Sequence, residues 1–87
     1  RMVGQFFADH DNPHYNPEQA FIWYEAAANA GDVEAQDNMG DIYLEGKWVK
    51  QDILSAVKWY GKAAGQRSPY AQYSLGQMYY NGYATFP

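Results

Sequence analysis

Asp9, His10, Asp11 and His14 bring two imidazoles and two carboxylates into six residues near the start of the chain. Zinc or nickel takes such donors when they converge on one point, and His10 and His14 are the candidate ligands. The same stretch, "DHDNPH", also has the composition of an ordinary polar turn. The turn is the simpler account, so no metal and no other cofactor is assigned. Nucleophilic catalysis finds less support. The serines are Ser55, Ser68 and Ser74, and no histidine follows His14. A Ser-His-acid relay would have to reach far along the chain, and Ser68 before Pro69 reads as a helix cap. No glycine-rich phosphate cradle is present. The expectation is that the chain is not an enzyme.

The bounds on what could position a site are narrow. Eighty-seven residues make one small domain of modest core. Without cysteine there is no disulfide framework and no thiolate metal site. Cytoplasm and bacterial periplasm are both compatible with that, and the compartment stays open. No stretch approaches the roughly 20 apolar residues of a membrane span. No signal peptide is visible, although the chain opens on Arg1 and not on methionine. A net charge of −4 argues against nucleic acid. Nine of the ten acids fall between Asp9 and Glu45, while Lys47, Lys50, Lys58, Lys62 and Arg67 follow, so the front is acidic and the back basic.

The dominant signal is internal repetition. Displaced by 36, the chain overlaps itself over 51 positions, and eleven are identical without any insertion. They include Gly4/Gly40/Gly76, Ala20/Ala56, Trp23/Trp59, Tyr24/Tyr60, Ala27/Ala63, Ala28/Ala64, Ala35/Ala71, Gln36/Gln72, Tyr43/Tyr79 and Gly46/Gly82. Nearly all are small or aromatic, the types that helix contacts select.

Each unit reads as two helices. Ala35, Met39, Ile42 and Tyr43 share one helical stripe, repeated by Ala71, Leu75, Met78 and Tyr79; this is the leading helix. Ala20, Trp23, Tyr24, Ala27 and Ala28, then Ala56, Trp59, Tyr60, Ala63 and Ala64, mark the trailing helix. Asn16 before Pro17, Asp32, Asp52 and Ser68 before Pro69 stand at N-cap positions, with Gln19 completing a capping box in the first. Gly46 and Gly82 fall where leading helices end. Gly4, Gly40 and Gly76 lie inside leading helices, where glycine costs about 1 kcal/mol against alanine. Their recurrence predicts a tight contact with a bulky ring, the Trp or Tyr of the trailing helix. One helix pair cannot bury its own aromatic face, so the signature recurs once per pair. The count predicts five helices. The last has no trailing helix after it, which leaves Leu75, Met78, Tyr79 and part of Tyr83 uncovered. That predicts a piece of a longer array, or self-association through this end, with the unlike charges of front and back favouring head-to-tail contact.

Ala35, Met39, Gly40, Tyr43, Gly46, Val49, Asp52, Ala56, Trp59, Tyr60, Ala63 and Ala64 together resemble the Sel-1-like repeat, a relative of the tetratricopeptide repeat. The likeness covers nearly the whole chain: a partial repeat over 1–31, a full one over 32–67 and a partial one over 68–87. Trp48 stands where the family has a second glycine, Pro13 replaces a valine, and Arg67 replaces the glycine seen at Gly31. The resemblance implies an all-α, right-handed α-solenoid of antiparallel helix pairs. It also implies a non-catalytic scaffold, of the kind used in bacterial envelope, regulatory and host-interaction systems and in eukaryotic protein degradation. Leading helices would line the concave side.

Leading-helix positions off the buried stripe are then the expected partner-binding column. They are Glu34, Asp37, Asp41, Leu44 and Glu45 in one unit and Tyr70, Tyr73, Gln77, Tyr80 and Asn81 in the next, with Gln5, Ala8 and Asp9 before them. Tyrosine supplies contact area at small entropic cost, and carboxylates favour a basic partner. The leading expectation is a scaffold for a protein or peptide. The alternatives are a structural segment that self-associates, and a weak envelope-glycan binder using the aromatics.

Overall fold

The computed structural model describes residues 16–82. Gly4, the helix expected around it, and His10 and His14 lie outside those residues. Among the described residues there are four helices: α1 (Pro17–Asn29), α2 (Val33–Glu45), α3 (Ile53–Gly65) and α4 (Pro69–Tyr80). Each packs on its neighbours in sequence, α1 on α2, α2 on α3 and α3 on α4. The result is an all-α solenoid of antiparallel helix pairs.

The boundaries follow from the cap residues. The side chains of Asn16, Asp32, Asp52 and Ser68 accept hydrogen bonds from the backbone N–H of Gln19, Ala35, Ser55 and Ala71, satisfying donors that a helix start leaves open. Proline opens α1 and α4, where its missing N–H costs nothing. Gly46 ends α2 at φ 70°, and its N–H returns to the Ile42 carbonyl.

The apolar stripes meet in two clusters. Ala20, Tyr24, Ala28, Ala35, Met39 and Ile42 form the first, and Ala56, Tyr60, Ala63, Ala71 and Met78 the second. Alanines let the backbones approach, and the large side chains fill what remains. Gly40 faces the ring of Tyr60. A Cβ at that position would stand 2.8 Å from Tyr60 Cζ and nearer still to Cε1 and Cδ1. Gly76 differs from the expectation, because beyond its own helix backbone and chain neighbours nothing lies within 4 Å of a Cβ placed there. The ring that fills the Gly40 notch comes from the trailing helix α3, and no helix follows α4 among the described residues.

The Trp-Tyr pairs also divide. Tyr24 and Tyr60 are buried, Trp59 is half-buried against the first cluster, and Trp23 is 43 % exposed. Trp59 packs back on the pair before it, and Trp23 has no described pair before it. Tyr43 and Tyr79 are half-buried; contrary to the expected bare end of α4, Met78 is buried and Leu75 half-buried against the second cluster, and Tyr83 lies outside the described residues.

Of the three departures from the repeat pattern, Pro13 lies outside the described residues, and the other two fall on left-handed backbone. Trp48 has φ 68° and Arg67 φ 69°, against φ 99° at the corresponding Gly31. Trp48 is compensated: its ring stacks on Tyr24 at 6.1 Å and 16°, and Lys47 Nζ stands 4.6 Å from its centroid. Arg67 is exposed and keeps the strain. Arg67→Gly is expected to stabilise by up to about 1 kcal/mol, the left-handed penalty less the added chain entropy of glycine. A thermal melt should rise by about 4–8 °C; an unchanged or lower midpoint refutes the strain.

A polar seam joins the turns. Gln36 is 5 % exposed, and its Nε2 donates to the Ala28 carbonyl at 3.1 Å. Gln66 Nε2 donates to Gln36 Oε1 at 2.9 Å and to the Gly31 carbonyl at 3.1 Å. The α3–α4 turn is thereby tied to the α1–α2 turn.

Candidate interaction surface

The leading helices α2 and α4 lie on one side of α3 and present the column read from the sequence. On α2, Glu34 and Glu45 are exposed, while Asp37, Asp41 and Leu44 are half-buried. On α4, Tyr70 is 50 %, Tyr73 68 % and Tyr80 88 % exposed, and Gln77 and Asn81 are also at the surface. Neither helix carries a lysine or arginine.

Two of the acids are not the free surface charges that the periodicity suggests. Ser68 Oγ donates to both carboxylate oxygens of Asp37, at 3.0 and 2.9 Å, while accepting from Ala71 N–H at 3.1 Å. Asp37 on α2 thus holds the residue that starts α4. Asp41 accepts from the Tyr60 hydroxyl and, at 2.8 Å to each oxygen, from the Tyr70 hydroxyl. The Tyr60 and Tyr70 rings are 6.4 Å apart at 57°. Helices α2, α3 and α4 therefore meet at one carboxylate.

The ionisation states follow from this packing. Burial raises Tyr60 far above an ordinary phenol, and the Asp41 acceptor adds to it. Burial and then Asp41 push Tyr70 up to about 12. Both phenols remain O–H donors at physiological pH. Burial also raises Asp37; the Ser68 hydrogen bond pulls it back, and the Asp41 charge adds to the rise.

Three shallow clefts share Asp41. One of about 290 Å³ is lined by Glu34, Asp37, Asn38, Asp41 and Tyr70. A second, of about 200 Å³, lies between α2 and α4 against Leu44, Glu45, Tyr60, Tyr70, Tyr73 and Met78. The third reaches from Asp41 toward Tyr24, Lys47 and Trp48. A separate groove of about 390 Å³ runs beside Phe21, Ile22, Trp48 and Val49. Periodicity locates Glu34, Glu45, Tyr70, Tyr73, Gln77 and Tyr80. It misses Tyr60 as the floor of the second cleft and Gln36 as the buried polar tie, although the Gln36/Gln72 identity was a signal: a glutamine kept in phase among small and aromatic residues. Among the described residues no cluster of three or more His, Asp or Glu could hold a metal ion, and no helix is long and apolar enough to cross a membrane.

A family model described as Sel1 repeat matches residues 13–32, 33–68 and 69–87. A putative sel1-like repeat-containing protein of Acanthamoeba polyphaga mimivirus is 44 % identical over 50 residues, covering 58 % of this chain and 9 % of its own length. The chitin synthase regulator SKT5 of Saccharomyces cerevisiae is 47 % identical over 47 residues, 54 % of this chain and 7 % of its own. The crystal structure of a Sel1 repeat protein from Oxalobacter formigenes superposes with a TM-score of 0.88 at 33 % identity, covering 98 % of this chain and 35 % of that one. The chain thus spans a small part of each relative.

Proposed function

The chain belongs to the Sel1 repeat family, whose members are non-catalytic helical scaffolds that mediate protein–protein interaction, and on that footing we propose that it holds a protein or peptide partner on the face formed by α2 and α4. The observation that carries this reading is the exposed column of Tyr70, Tyr73 and Tyr80 beside the carboxylates of α2, with Tyr70 and Tyr73 bordering adjoining clefts. Aromatic rings that stay at the surface of a folded chain are characteristic anchors of interfaces. The absence of any lysine or arginine on α2 and α4 favours a partner of opposite charge.

Capture of the partner by the immobilised chain, identification by mass spectrometry and titration by calorimetry test the proposal. Tyr73→Ala and Tyr80→Ala are each expected to weaken binding by about 1–3 kcal/mol, the range of an interface anchor, with unchanged circular dichroism. Normal binding by both folded variants rules this face out. If the molar mass then rises with concentration in light scattering, the alternative of self-association through α4 takes its place; Gln72 and Gly76 are exposed there, whereas their counterparts Gln36 and Gly40 are buried.

A further inference from the structure

We infer that the cleft between α2 and α4 is an arginine pocket, and that the partner proposed above anchors itself there through one arginine side chain. The inference rests on the scaffold reading and adds to it the chemistry of the contact. Three tyrosine rings define the cleft: Tyr60 at its floor, Tyr70 and Tyr73 along α4. Leu44 and Met78 complete the apolar wall, and the carboxylates of Asp41 and Glu45 stand at its margin. About 200 Å³ admits one long side chain and not a folded element.

Aromatic walls with carboxylates at one edge select a cation that gives up water readily. A guanidinium is planar, stacks on a tyrosine face and is less strongly hydrated than an ammonium. Its fixed fork of N–H donors also matches a carboxylate. Asp41 is prepared for that role. Its present donors are two neutral phenols, which fix its orientation and bring no positive charge to it. Glu45 is exposed one turn further along α2 and supplies a second acceptor. A lysine would bring the same charge, but as a compact, strongly hydrated point that gains less from the rings.

Three seven-residue Gly/Ala peptides, identical except for a central arginine, citrulline or lysine, test the assignment on the full 87-residue chain. Titrations are followed by NMR. The arginine peptide should shift the Tyr70 and Tyr73 ring signals and the Glu45 and Gln77 amides, saturating at millimolar concentration. Citrulline keeps the shape and loses the charge, and should bind at least about tenfold more weakly. Lysine should bind several-fold more weakly than arginine. Tyr73→Ala, an exposed position, should lower arginine affinity by about tenfold without changing the fold. Equal shifts from arginine and citrulline, lysine at or above arginine, or shifts centred on Phe21, Ile22 and Trp48 would each overturn the pocket. A captured partner that needs Tyr80 but tolerates replacement of all its arginines overturns the pocket and leaves the scaffold reading standing.

Discussion

Gly40→Leu is expected to destabilise the chain by about 3 kcal/mol or more, while Gly76→Leu leaves it at least as stable as the parent. A single methyl at Gly40 already overlaps the Tyr60 ring, which is 1 % exposed and tethered through its hydroxyl to Asp41. Overpacking of this kind forces side chains off their rotamers and backbones apart. A chain of this size holds about 0.05–0.15 kcal/mol per residue, so the loss takes a large share of the total. At Gly76 nothing beyond its own helix backbone and chain neighbours stands within 4 Å, and leucine recovers up to about 1 kcal/mol of helix propensity. Urea unfolding followed by circular dichroism reads both. Equal midpoints for the two variants refute the notch. The cycle with Tyr60→Ala checks its cause: in that background Gly40→Leu should cost markedly less, because the colliding ring is gone.

The second large effect is expected from reversing two charges. Asp37→Lys with Asp41→Lys should destabilise by about 3–5 kcal/mol, since hydrogen bonds to charged groups contribute about 1.5–3 kcal/mol each and both carboxylates are lost. Ser68 would lose the acceptor of its hydroxyl, and the hydroxyls of buried Tyr60 and exposed Tyr70 would face an ammonium. The conservative change separates charge from geometry. Folding raises the Asp37 carboxyl above its unfolded value, so ionisation opposes folding; that cost builds as pH rises from the unfolded value and is complete above the folded one. Asp37→Asn keeps an acceptor for Ser68 and removes the cost, and should be neutral or slightly stabilising at pH 7. A well-folded double lysine variant would show the bonds to be inconsequential. Glu45, which is exposed, is the position where reversal should leave the fold intact and act on partner binding, with an effect that fades in salt.

These variants mark how far the sequence could be read. Fold and caps were legible because they are local or periodic: Asn16, Asp32, Asp52 and Ser68 each bond a residue three positions on, and the stripes return every 36. The surface was legible where exposure follows from helix phase alone, as at Glu45, Tyr73 and Tyr80. Asp37 and Asp41 have the same phase but take donors 31, 19 and 29 residues away, and no short-range pattern encodes such pairing. Gly76 shows the converse. It repeats Gly40 in type and phase, yet a glycine notch is defined by what enters it, and that residue belongs to a different helix.

The glutamine seam fastens the stack at one margin. Gln36 and Gln66 lace the α1–α2 turn to the α3–α4 turn, along one margin of the stack. At the opposite margin the described hydrogen bonds, Asp52 N–H to the Tyr43 carbonyl and Gln51 Nε2 to the Leu44 carbonyl, stay within the α2–α3 pair. Ties between the pairs therefore run along the glutamine rim and across the leading helices through Asp37 and Asp41, and the Trp48 ring on Tyr24 adds a packing contact at the other rim. Spreading of the stack is expected first between Glu45 and Asn81, beyond the Asp41–Tyr70 bond, and last at the Ser68 end of α4.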